Sequence, residues 1–236
     1  MFGRKKLHSA IETWNQPEET LESVEARIHD GVPLDKLHDR ANGYLNTLFT
    51  LFPQAAPTAT DVVLEIGPGV GYIMQAMMNR FNPARIIGLD VAPAMVEHAK
   101  ARLQRDQVDL TKWSFETYDG VTMPFEDQSI DTLYSVASLQ HVPKLYVYHL
   151  FAEMARVLRG GYAAMQLLSF SFLPKQHLPL ATEITQQLSG ESGHWHHFYA
   201  RDELLYVLPA MGAADIAITE HDGSLWVIFR SGRGRT

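Results

Sequence analysis

Apolar and polar positions change their period several times along this chain. Residues 1 to about 29 are mostly polar and read as helical, with Trp14 an isolated aromatic. Asp30-Gly31-Val32-Pro33 breaks that pattern. From Leu34 to Phe52 the residues Leu37, Ala41, Tyr44, Leu45, Leu48, Phe49 and Phe52 fall near helical spacing, which predicts an amphipathic helix. Pro53 to Pro57 ends it. This punctuation divides the chain into an N-terminal helical cap, residues 1–56, and a core domain, residues 57–236.

Beyond the boundary, short apolar runs alternate with helical patterns. Strands are predicted at Val62–Ile66, Ile86–Leu89, Trp113–Tyr118, Ile130–Ala137 and Tyr162–Ser169. Helices are predicted at Tyr72–Phe81, Pro93–Gln104 and Tyr146–Leu158, the last stopped by Gly160-Gly161. Such alternation implies right-handed βαβ units. The tail differs: a helix at Asp202–Met211, then strands Ile216–Glu220 and Leu225–Arg230 around Asp222-Gly223, which reads as a hairpin. The expected fold is α/β: a seven-stranded, mostly parallel, doubly wound sheet with helices on both faces and an antiparallel C-terminal edge hairpin.

Composition narrows the function. Of 236 residues, 46% are hydrophobic, enough for a sizeable core. The net charge of −7 argues against a broad nucleic-acid-binding face, although Arg4, Lys5, Lys6, Arg230, Arg233 and Arg235 make both ends basic. There is no cysteine, which excludes disulfides, zinc–thiolate sites and cysteine nucleophiles. No apolar run approaches the ~18 residues of a membrane span. The basic N-terminus lacks the apolar stretch of a secretory signal, so a cytoplasmic location is expected.

The most informative stretch is VVLEIGPGVGY, residues 62–72. Gly67, Gly69 and Gly71 lie between the first core strand and its helix, where an open α/β sheet binds its ligand. A Cβ there would block approach to the backbone. A phosphate-binding P-loop is excluded, because no lysine or Ser/Thr follows. A dinucleotide site is disfavoured: Tyr72 takes the place of the third glycine, and Glu65 would repel a pyrophosphate. A carboxylate beside an ammonium group is attractive, and S-adenosylmethionine (SAM) carries a ribose, an adenine and a cationic amino-acid tail.

The chain resembles the class I SAM-dependent methyltransferases of the small-molecule branch, over about residues 60–230. MPFEDQSIDTLYS, EMARVLRGG and HHFYARDELLYVL resemble runs of that family, in its order. The resemblance implies cofactor-binding roles for Glu65, Gly67, Gly69, Gly71, Asp90, Val91, Asp119, Gly120 and Val136. Asp90, 19 residues beyond Gly71, stands where the family pairs an acid with the ribose hydroxyls. Val91 and Ala92 stand where it packs the adenine, and Asp119-Gly120 where it meets the adenine edge. Val136 departs from the usual Asn or Ser, leaving its backbone carbonyl for the SAM ammonium. Gly160 replaces a common proline in a turn.

Methyl transfer needs alignment first, and a general base is optional. His141, after the fourth strand, is the candidate catalytic residue, with a bracing role as the alternative. His194, Trp195 and His197 are candidate substrate contacts in a cluster that also holds His196. Their spacing suits no standard metal site, so no metal is expected. The segment 169–200 is long, rich in aromatics, and together with Tyr44 is expected to cover the acceptor pocket. Sugars, phenolics and other polar metabolites suit that cover. Tyr44 alternatively belongs to the core. The expected activity is methylation of an O or N atom of a small molecule by a monomer or homodimer. A catalytically silent SAM-binding regulatory or scaffold protein, and an NAD-dependent reductase, are the competing readings.

Overall fold

A computed structural model describes residues 11–29, 32–175, 179–189 and 196–232. The core opens with β1 (Val62–Ile66), α3 (Tyr72–Phe81), β2 (Arg85–Asp90), α4 (Pro93–Arg105) and β3 (Trp113–Thr117). It continues with β4 (Thr132–Ser135), α5 (Lys144–Val157) and β5 (Ala163–Ser169). Then come α6 (Phe172–Lys175), α7 (Leu180–Ser189), β6 (Phe198–Tyr199), α8 (Arg201–Ala210), β7 (Ala213–His221) and β8 (Ser224–Ser231). Ahead of the core lie a helical stretch at 11–14, α1 (Leu21–Ile28) and α2 (Leu37–Leu51).

The strands form one sheet in the order β3-β2-β1-β4-β5-β8-β7. The first five in that order are parallel, and β8 runs antiparallel to both β5 and β7. From β1 the chain first builds outward through β2 and β3, then returns to build through β4 and β5. The order therefore reverses between β1 and β4, which opens a crevice at their carboxyl ends.

The side-chain period of two sorts residues between two hydrophobic clusters. Leu64, Ile87, Leu133 and Met165 face α5 and α8, with Phe151, Met154, Leu204 and Leu208. Val63, Ile86, Tyr134 and Ala164 face the other side, with Met74 and Met77 of α3 and Leu45, Leu48 and Phe49 of α2. The N-terminal helices thus share a core with the sheet. All seven residues of β5 are buried, as expected for a strand covered on both faces.

Three details differ from the sequence pattern. An eighth strand, β6, pairs parallel with the end of β5 through Ser169 and Tyr199. It takes the edge that β4 vacates, since β4 pairs with β5 only as far as Met165. The fourth strand is shorter than expected, because Ala137 adopts φ +55° and turns the chain away. Its N–H donates to Gln166 Oε1 at 3.1 Å, which fixes that turn. Part of the segment 169–200 folds into α6 and α7.

Candidate active site

The glycine turn after β1 is built from left-handed backbone. Gly67, Gly69 and Gly71 have φ of +68°, +55° and +84°. At Gly67 a Cβ would stand 1.8 Å from Ser138 Oγ, so the turn and the loop after β4 touch where only glycine fits. Gly67 N–H donates to Leu89 O at 2.8 Å and ties the turn to β2.

The outer side of the turn is held by Arg102 of α4, which is fully buried. Its Nε donates to Val70 O at 2.8 Å and its Nη2 to Gly71 O at 3.0 Å. Its Nη1 donates to Asp106 Oδ2 at 2.9 Å and to Gln75 Oε1. The guanidinium also lies 4.4 Å from the centre of the Tyr72 ring. Tyr72 turns toward α1: its hydroxyl donates to Glu25 Oε1 at 2.7 Å, and Glu25 is paired with Arg105 at 2.7 Å. Burial, then the Glu25 hydrogen bond, pushes that phenol up to about 12.

A cavity of about 160 Å³ lies at the switch point. Glu65, Gly67, Gly69, Asp90, Val91, Val136, His141 and Tyr44 all line it. Glu65 is 1% exposed and accepts from the Tyr134 hydroxyl at 2.9 Å. Burial raises its carboxyl to about 8; the Tyr134 hydrogen bond opposes this and the charge of Asp90 reinforces it. Asp90 is 7% exposed, and burial raises it to about 6 against hydrogen bonds from the Ala92 and Val91 N–H groups. The Ala92 bond is 2.9 Å.

The N-terminal helices roof the cavity with Trp14, Ile28, His29, Leu37 and Arg40. Arg40 donates to His29 O at 3.0 Å and to Tyr44 Oη at 3.4 Å. Beside Trp14 of this roof, His141 ends a 3-10 turn, Leu139–His141, and its N–H donates to Ser138 O at 3.0 Å. Its ring lies 5.2 Å from Trp14 and 5.1 Å from His196, between centroids.

Other candidates lie elsewhere. Gly71 starts α3 and stands outside the cavity lining, with its carbonyl on Arg102. Asp119 is exposed, and Gly120 is buried; neither lines the cavity, whereas Tyr118 does. Asp119 Oδ1 accepts from Val121 N–H at 2.9 Å and Thr122 N–H at 2.8 Å. The Thr122 bond leads in holding that carboxyl below its usual range, against partial burial. His197 is half-buried and docks through its backbone, donating to Gln140 O at 2.8 Å. His194 and Trp195 lie outside the described residues. Trp14, His29, Arg40, Tyr118 and Ser138 were not among the expected site residues. Of these only Trp14 had drawn notice, as an aromatic alone in a polar segment.

A doubly wound sheet with a glycine turn and two acids at its switch point is a Rossmann-like arrangement. Residues 63–161 match the family described as a methyltransferase domain. Over 148 residues the chain is 30% identical to a malonyl-[acyl-carrier protein] O-methyltransferase of a Marinomonas species, covering 61% of this chain and 50% of that one. It is 34% identical over 113 residues to trans-aconitate 2-methyltransferase of Variovorax paradoxus, covering 47% and 39%. These matches span half or less of the curated relatives' length. Magnesium protoporphyrin IX methyltransferase from Synechocystis PCC 6803, solved with bound SAH, superposes with a TM-score of 0.63 at 15% identity, over 95% of this chain and 99% of that one. The core is therefore similar, over residues 63–161, to a methyltransferase domain, and its fold is that of a methyltransferase solved with bound SAH.

Proposed function

We propose that the protein transfers a methyl group from SAM to an oxygen or nitrogen atom of a small-molecule acceptor. The observation that carries this reading is one cavity with two unlike walls. Glu65 and Asp90 line it with the glycine turn, and Trp14 and His141 line it with the roof. When bound, SAM supplies an electrophilic methyl on a positively charged sulfur that leaves as a neutral thioether.

The lining suits that molecule. Asp90 offers carboxylate oxygens to a pair of ribose hydroxyls. Glu65 and the carbonyl of Val136 suit an ammonium group, and the Arg40 guanidinium suits the carboxylate of the same amino-acid tail. Val91, Leu139, Val142 and Tyr118 give the lining apolar surface that suits a flat ring. We assign the adenine to Tyr118 and Val91, because Asp119 closes its own turn. The roof keeps water from the reacting atoms, and Tyr44 and His141 bound the acceptor space.

Saturable SAM binding by calorimetry, followed by SAH formation when the protein meets a metabolite extract, tests the reading. Tight binding with no SAH from any extract would favour a silent SAM-binding protein. An absence of saturable binding would end both.

A further inference from the structure

His196 was not among the expected site residues, yet the fold brings it to His141. Two anchors do this. β6, which begins two residues after His196, pairs with the end of β5 through Phe198 and Tyr199. The neighbouring His197 N–H donates to Gln140 O, the residue before His141. Both anchors lie just C-terminal to His196, and its ring stands 5.1 Å from the His141 ring, tilted by 43°. Behind His196 stands Glu183 of α7, whose Oε1 lies 3.4 Å from His196 Nδ1. Glu183 is 5% exposed, so its carboxylate is withdrawn from water beside this imidazole. A carboxylate at Nδ1 selects the tautomer that carries its proton there, which leaves Nε2 as the basic nitrogen. Glu183, His196 and His141 are thus successive neighbours from a buried acid to the cavity wall.

We propose that Glu183 and His196 are positioning residues for a proton relay behind His141, and that the methyl acceptor is therefore a hydroxyl. This rests on the methyl-transfer reading given above. His141 touches the acceptor; the other two act through it. As the acceptor oxygen bonds to the methyl carbon, the C–S bond breaks with its electron pair going to sulfur. The O–H proton passes to His141, and the imidazolium is compensated by the Glu183–His196 pair before the proton leaves to solvent. A base of this kind is what an oxygen acceptor needs, whereas an amine has only to arrive neutral. Trp14, whose ring lies 5.2 Å from that of His141, limits how far the imidazole can turn.

The test combines proton NMR of the SAH-bound protein with product analysis. Wild type should show a downfield Nδ1–H signal from His196. The signal should vanish in Glu183→Gln and His196→Gln and persist in Glu183→Asp, with SAM affinity equal in all four proteins. Incubation of wild type with [methyl-13C]SAM and a metabolite extract should give a methoxy carbon. SAH formation should fall on the order of 100-fold in Glu183→Gln and recover in Glu183→Asp. A signal that survives Glu183→Gln, or an Asp variant as impaired as the Gln variant, overturns the relay. So does an N-methyl or C-methyl product. Intact SAM binding with no methylated product would instead sink the methyl-transfer reading, and the relay with it.

Discussion

On the proposed function, Glu65 should make SAM binding a proton-linked event. Its carboxyl is 1% exposed, and burial lifts it to about 8. Such a group is about nine-tenths protonated at pH 7. An ammonium group beside it favours the carboxylate, so binding must expel that proton. The ionisation costs about 1.4 kcal/mol at pH 7, one pH unit below the pKa. SAM affinity should therefore rise about tenfold between pH 6 and pH 7, with about 0.9 proton released per SAM at pH 7. The window stays below the range in which an α-amino group itself titrates, about 7.7–8.0. Asp90, raised to about 6, steepens the dependence at the acid end. Calorimetry in two buffers of different ionisation enthalpy reads the released proton directly. Glu65→Gln should abolish most of the release and flatten the pH dependence above pH 6. A wild-type affinity that is flat from pH 6 to 7.5, with no buffer effect, would refute the reasoning.

The same carboxyl shapes stability in the opposite sense. Its folded pKa lies above the ordinary value of 4.5, so its contribution is full below that value and is lost as pH rises through about 8; thermal melts of Glu65→Gln should lose this downward slope, and an unchanged slope would discount it. Asp90→Ala should weaken SAM binding by about 2 kcal/mol, as for charge-assisted hydrogen bonds, and near-wild-type affinity would mean that the ribose lies elsewhere. Gly67→Ala forces a Cβ onto Ser138 Oγ at φ +68°, which should cost about 2–3 kcal/mol by denaturant titration. Adding Ser138→Gly should recover only the steric part, and equal stability of the single and double variants would deny the contact. Arg102→Met leaves the Val70 and Gly71 carbonyls without their buried donor. It should cost about 3 kcal/mol and weaken SAM binding as the turn loosens, and unchanged affinity would confine Arg102 to the core.

Local chemistry made much of this protein legible from its sequence. The short apolar runs at Val62–Ile66 and Ile86–Leu89, the glycines that tolerate left-handed backbone, and the stop at Gly160-Gly161 all act within a few residues. They determined the strands, the glycine turn and the switch point. Asp90 was singled out by resemblance, and as the last residue of β2 it arrives at the carboxyl edge of the sheet and lines the cavity. Side-chain direction was not legible. Tyr72 looked like a substitute for a glycine in the turn, yet its hydroxyl reaches Glu25, 47 positions away. Asp119 had the expected place at the end of β3, but the N–H groups of its own turn hold its carboxylate. Arg102 lies 31 and 32 positions from the carbonyls it secures. Trp14, Arg40 and His196 reach the site from three segments distant in sequence. Hydrophobic period and turn residues determine which elements form, because their causes lie within one or two turns of chain. Which side chains meet at the cavity follows from how the finished helices and sheet pack, and that only the tertiary structure decided.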